Sequence, residues 1–372
     1  MFYSKKNDEK LKCEFDMPKE IKVCDSNVEL LRLVAMFFVL VLHANLILNL
    51  PTTQSIIAFP RQEFIKAVVE AFAIVAVNVF VLISGWFGLR FRVRGLLSFL
   101  FQVFFFSFGV YAIFLVLGNP FEKGDIAHCL LSRHENYWFA KAYLVLLVFA
   151  PVLNAFIEKA SKKLFAGIIL LMLLFHFFWD WCFGYATPYF EGGYSPIWFM
   201  TLYLTGRYCN IYKPYITKLM RPSYVSVYAV CSIIIALSMF LPAFLYGENQ
   251  NGIVCHVLKK LGSIAYDSPL VFISALSLLL FFTKLKFYSR IINWSASSAF
   301  AVYLLQTHFC VSRLIFAPCV KSSYCSEMNW LGVLCVIGFF FVVGILIDKI
   351  RLFLWEALYE RLPHHDEFEK IL

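Results

Sequence analysis

The sequence predicts an all-α, polytopic membrane protein of about ten transmembrane helices, with both termini on the cytoplasmic side. Three observations predict it. Apolar residues make up 61% of the 372 and charged residues only 15%, against roughly 25% charged in a soluble domain. Apolar runs long enough to cross a bilayer recur along the whole chain, whose mean hydropathy is +0.73. Basic residues concentrate in alternate loops.

The elements follow in order. Residues 1–27 are polar and lysine-rich, a cytoplasmic tail. The apolar run at 28–49 lacks a small-residue cleavage pattern and reads as an uncleaved first helix. Further runs fall near 67–89, 96–118, 137–157, 164–183, 194–212, 224–246, 268–283, 294–316 and 330–352. The eighth is short, and Ser and Gln interrupt the ninth. Residues 28–352 therefore form one membrane domain and 353–372 a cytoplasmic tail. No loop has room for a soluble domain, and no internal repeat stands out.

Charge orients the frame. The N-terminal tail holds six lysines, and four alternate loops hold three basic residues each, Arg90, Arg92 and Arg94 among them. With the C-terminal end, 22 basic side chains fall on one side and seven on the other. Positive charge stays inside. This explains the net charge of +9 without a nucleic-acid partner. The 11 cysteines show no C-x-x-C pair and no metal-ligand spacing, so no metal is expected. Several read as small apolar residues within helices. Cys319 and Cys325 flank a short loop and form a candidate disulfide if that loop faces an oxidising compartment.

The first helix contains "LLRLVAMFFVLVLHAN", residues 30–45. Arg32 lies near its cytoplasmic end and His43 near its outer end, ~16 Å apart along the axis. Eleven steps of 100° bring both onto one stripe, with Ala35 and Val39 between them. Arg32 alone is equally a snorkelling, topology-fixing cation, and His43 alone a histidine bonded to a neighbouring helix or sitting in the interface. An ionisable residue this deep is a functional candidate, and the shared stripe suits the lining of a narrow channel.

The R-x10-H segment "RLVAMFFVLVLH" resembles the signature of the acyltransferase-3 family of integral membrane O-acyltransferases. "VNVFVLISGWFGLRFRVRG" resembles that family's second-helix block, with Arg92 and Arg94 as its R-x-R. "YWFAKAYLVLLVFAPVLN" is similar to its fourth-helix block, Lys141 being a departure, and "SSAFAVYLLQTH" to its late block, with Tyr303 and His308. The likeness runs in order over nearly the whole chain. It implies transfer of an acyl group, usually acetyl, from cytoplasmic acyl-CoA as co-substrate, with no bound cofactor. The implied acceptor is a hydroxyl of a surface glycan or its lipid-linked precursor, and the implied host membrane is the bacterial cytoplasmic one.

The residue types suit that chemistry. Arginine forks onto phosphate oxygens, so Arg32, Arg92 and Arg94 are candidate donor-binding residues. Acyl transfer needs a base for the hydroxyl proton and donors for the oxyanion. His43 is the candidate base or acyl relay. Asp180 and Glu70 are candidate orienting carboxylates, and Asp180 equally fits a structural pair with Lys141. Trp179 and Trp181 are either sugar-stacking residues or an interfacial belt. Tyr303 and His308 are either oxyanion donors or satisfied packing residues. No G-x-S-x-G elbow is present, which argues against a serine nucleophile.

Two other classes fit a many-helix membrane protein. A secondary transporter or flippase tends to show repeats and Gly/Pro-broken helices, and the sequence displays neither. A polymerase of lipid-linked glycans usually carries a large outer loop, and the outer loops here are short.

Overall fold

The computed structural model describes residues 26–132, 137–183, 191–325 and 329–359. The expected tails therefore lie almost wholly outside the described residues. All regular structure among the described residues is helical. The main helices are α1 (Ser26–Ile47), α2 (Pro60–Phe87), α3 (Val93–Val116), α4 (Trp138–Lys159) and α5 (Lys162–Trp179). After them come α6 (Pro196–Tyr212), α7 (Arg221–Tyr246), α8 (Pro269–Phe282), α9 (Ala299–Thr307 with Phe309–Tyr324) and α10 (Trp330–Tyr359).

Every apolar run read from the sequence is helical, but not every one is long enough to span. Seven helices pass by length and composition, and up to eight if the bent α9 pair counts as one span. α8 has only 14 residues, and α6 is a 17-residue helix carrying Thr201, Thr205, Arg207 and Asn210. These two carry the difference from the expected ten. α2 starts seven residues earlier than expected, at Pro60, which suits a first helical position because its missing N–H is an orphan there anyway. α10 runs on to Tyr359, so residues 353–359 continue its helix.

α2 is the central helix, with 72% of its apolar window buried, against 17% for the peripheral α5. It crosses α6 closely. A Cβ on Gly85 would overlap the Tyr203 backbone, and one on Gly206 would lie 2.5 Å from the Leu82 carbonyl oxygen. Small residues at such a crossing let two helix backbones approach within a membrane.

α9 is the irregular member. Its two arms meet at a 64° bend at His308. Neither Pro nor Gly stands there; His308 itself organises the break. Its Nδ1 accepts the Cys310 N–H (3.3 Å) at the start of the second arm, and its Nε2 donates to the Ser107 carbonyl of α3 (3.0 Å). A π-helical turn, Ser312–Phe316, follows.

Bonds between loops gather the basic segments at one end of the bundle. Ser26 Oγ donates to the Ser289 carbonyl and Asn27 Nδ2 to that of Leu285, tying the start of α1 to the 284–290 loop. Arg221 reaches the Lys284 carbonyl, and Arg207 that of Phe87. At the other end Tyr266 donates its N–H to the Gly192 carbonyl, and Gln250 bonds Thr53.

Candidate active site

His43 sits one turn before the end of α1, partly buried, in a narrow cavity shared by α1, α2, α4, α9 and the 262–268 loop. Met36, Val39 and Leu42 form its α1 side, Val77 and Phe80 its α2 side. Tyr266, Trp138, Phe139, Phe300 and Tyr303 close it with aromatic faces. Its volume is about 30 Å³, room for a water or two and no more. Ala35 and Val39, placed between Arg32 and His43 on one stripe, are both buried against the core.

The His43 ring is held from α9. Its Nδ1 lies 2.5 Å from Oε1 of Gln306, a residue that is 2% exposed. Tyr303, one turn earlier on the same arm, places its ring centroid 6.4 Å from that of His43 and stacks on Phe300. Phe139, at the first turn of α4, packs edge-on against Tyr303. Trp138 stacks on Tyr266, 5.7 Å between centroids. α4 begins directly after Tyr137, which adopts a left-handed φ of 48° and donates its hydroxyl to the Leu304 carbonyl. A non-glycine residue in that region marks a backbone held by its surroundings, here at the wall of the cavity.

The polar side chains beyond His43, toward the C-terminal end of α1, form a separate network. Asn45, two residues further along α1, donates to the Glu70 carboxylate (2.7 Å) and the Lys66 carbonyl. Lys66 pairs with Glu63 at 2.6 Å and donates to the Leu48 and Asn49 carbonyls. Glu70 thus fixes α1 against α2 through Asn45 and makes no hydrogen bond to His43. Asn78 of α2 bridges the Tyr266 carbonyl and Trp198 Nε1 of α6, which locks the loop carrying Tyr266.

His308 lies away from this cavity, with both ring nitrogens spent on the α9 break. The Asp180 side chain lies outside the described residues, so the Asp180–Lys141 pair is not described. Cys319 is a free thiol, so the candidate disulfide expected of it is not present. Lys141 is partly exposed. Trp179 is half exposed on the outside of α5, and Trp181 is partly buried.

At the basic end, Arg92 and Arg94 share an open groove of about 900 Å³ between α3 and α10, with Arg90, Ser98, Trp355 and Glu356. Arg94 pairs with Glu356 (2.9 Å) and lies over the Tyr359 ring. Arg32 does not line this groove. It pairs with Glu29 at 2.6 Å and lies near enough for its charge to reach the Tyr143 hydroxyl, which bonds Ser84. The loop into the groove is anchored by Asn154, which donates to the Leu89 carbonyl (2.7 Å) and accepts the Tyr203 hydroxyl (2.6 Å). The Pro-x-x-Asn block of α4 and the R-x-R block after α2 are therefore physically joined.

Among protein families, the chain matches the model described as an acyltransferase domain, Acyl_transf_3, over residues 25–349. The chain belongs to the acyltransferase-3 family. It is a multi-pass membrane acyltransferase, and all four sequence blocks that suggested the family fall within the matched span. No curated protein and no solved structure matched the chain.

Three features of this acyltransferase escaped the sequence reading. Gln306 was treated as an interruption in an apolar run, yet it is the one side chain among the described residues that bonds the His43 ring. The His176–Asp267 pair, both fully buried with Nδ1 and Oδ2 3.7 Å apart, joins residues far separated in sequence. Arg351 was counted only as a topological charge. It is buried on α10 against Asp348, whose Oδ1 also accepts from Gln102 of α3.

Proposed function

We propose that this acyltransferase moves an acyl group, acetyl being the best fit, from acyl-CoA in the cytoplasm to a hydroxyl presented on the outer side. In this reading the acceptor is a sugar of a surface polysaccharide or its lipid-linked precursor, and the membrane is the bacterial cytoplasmic one. The charge distribution of the loops supports ten crossings with both termini cytoplasmic, α6 and α8 included. The Arg90–Arg94 groove and Arg32 then face the cytoplasm, and the His43 cavity opens toward the outside.

The single observation that carries the reading is the α1 stripe. It runs from Arg32, beside the basic end, past Ala35 and Val39 to His43 in its cavity. Arg92 and Arg94 offer forked donors to the phosphates of the donor. Glu356 and Glu29 hold the arginine side chains until phosphate displaces them. The thin acyl-bearing arm then lies along the Met36–Val39 side of α1, and Met36, Phe80 and Phe300 must swing aside, since the resting cavity is about 30 Å³.

At the outer end His43 acts as the general base. The acceptor hydroxyl gives its proton to the imidazole as its oxygen bonds to the acyl carbon. The carbon–sulfur bond then breaks, and the leaving thiolate takes the proton back from His43. Tyr303 faces the same space and is the candidate donor to the oxyanion. The bend in α9 is a feature transporters also show; the family match favours the enzyme.

The test is transfer in reconstituted vesicles. With acetyl-CoA labelled in the acetyl group and a lipid-linked glycan fraction, wild type forms an alkali-labile ester on the glycan. His43→Ala loses roughly a hundredfold or more. Full activity of His43→Ala overturns the reading.

A further inference from the structure

Asp180 and Glu70 are the carboxylates expected to orient His43, and the residue that meets its ring is an amide. Gln306 Oε1 faces Nδ1 of His43 at 2.5 Å from a position that is 2% exposed. An amide oxygen only accepts, so the proton in this contact belongs to Nδ1, and Nε2 is left as a lone pair. We infer that Gln306 is the positioning residue of His43: it holds the imidazole in the tautomer whose Nε2 is free to take the proton of an acceptor hydroxyl. The inference rests on the acyl-transfer reading above and adds to it a residue with a stated role.

Three observations support it beyond the contact. Gln306 occupies the last turn of the first α9 arm, two residues before the bend, and His308 pins that bend to the Ser107 carbonyl. The amide therefore stands on an arm whose end is fixed in place by the His308 contacts. The charged groups nearby are engaged elsewhere: Glu70 of α2 is bonded to Asn45. Among the described residues, the other titratable groups lining the cavity are Tyr303 and Tyr266, from α9 and the 262–268 loop. Lastly, an amide orients the ring without placing a charge in an apolar, nearly dry cavity, where an unpaired carboxylate would be costly.

The test reads the tautomer itself. Full-length protein in detergent, labelled with ¹⁵N in the histidine rings, gives the His43 signals by difference against His43→Asn. In wild type His43 is protonated at Nδ1 and bare at Nε2 near neutral pH. Gln306→Leu gives a mixture of tautomers at unchanged fold, checked by thermal unfolding. Gln306→Glu keeps the Nδ1 proton, and its ring titrates higher by roughly one to three pH units, as a facing carboxylate favours the imidazolium. A wild-type ring protonated at Nε2 overturns the inference, as does a Gln306→Glu titration identical to wild type. Where Gln306→Leu does not fold, Gln306→Glu alone decides. The His43→Ala transfer assay fails or succeeds independently, so loss of the acyl-transfer reading and loss of the Gln306 inference are told apart.

Discussion

Asn154 holds the carbonyl of Leu89 at 2.7 Å, one residue ahead of Arg90 and the R-x-R pair. The Tyr203 hydroxyl completes the clamp, donating to Asn154 while accepting the Leu89 N–H. One side chain of α4 and one of α6 thus set the path of the loop that presents Arg92 and Arg94. Asn154→Ala removes both bonds and leaves Leu89 to drift. The expected outcome is a rise in KM for acetyl-CoA of roughly tenfold, matching one to two lost hydrogen bonds, with kcat nearly unchanged. Steady-state kinetics with varied donor checks it.

The passage past α1 yields a second prediction. Met36 and Val39 form its α1 side, and in the proposed reading the donor arm lies against them. Val39→Trp fills that side with a ring, so transfer falls at least a hundredfold while the phosphate end still binds. Donor titration alongside a transfer assay separates the two effects.

Much of this was legible in the sequence, and the parts that were not have identifiable reasons. Apolar runs located every main helix, because crossing a bilayer demands about 20 apolar residues whatever the fold. The pairing of Arg32 and His43 on one face followed from helical geometry alone. The bend in α9 was hidden, since the usual marks of a break are Pro and Gly and here a histidine caps the second arm. Gln306 was hidden because its partner lies on α1, and no local pattern joins residues so far apart. Arg94 and Arg32 read as candidate donor-binding residues with no partner named for them, and in the structure Glu356 and Glu29 hold them. Those carboxylates reach their partners only through tertiary packing or a one-turn spacing common on any helix.

The α2–α6 crossing makes a prediction about stability. Gly206→Leu places a side chain where the Leu82 carbonyl oxygen already stands 2.5 Å from a Cβ. The two backbones must separate, at a cost of roughly 1–3 kcal/mol or more. Thermal unfolding in detergent should shift down by several degrees, while Gly109→Ala on α3, with open space around it, should not.

Cys129 lies at the end of the short Lys123–Cys129 helix, buried, with its thiol against the Ser107 carbonyl. Burial pushes this thiol above its ordinary pKa. The thiolate is the reactive form, so alkylation of Cys129 is slow at neutral pH and rises only under more alkaline conditions. The exposed Cys319 is the contrasting site. Treatment of the folded protein with N-ethylmaleimide at pH 7, followed by peptide mass mapping, should mark Cys319 and spare Cys129.

The central claim is that the basic end of α1 receives the donor whose acyl group His43 uses at the other. The most direct test is a calorimetric titration of the purified protein with acetyl-CoA, for wild type and Arg32→Ala. The account predicts saturable binding to wild type, weakened roughly tenfold or more in the variant, as expected on losing a hydrogen bond to a charged group. Absence of binding in folded wild type, or equal binding by the two proteins, would contradict it.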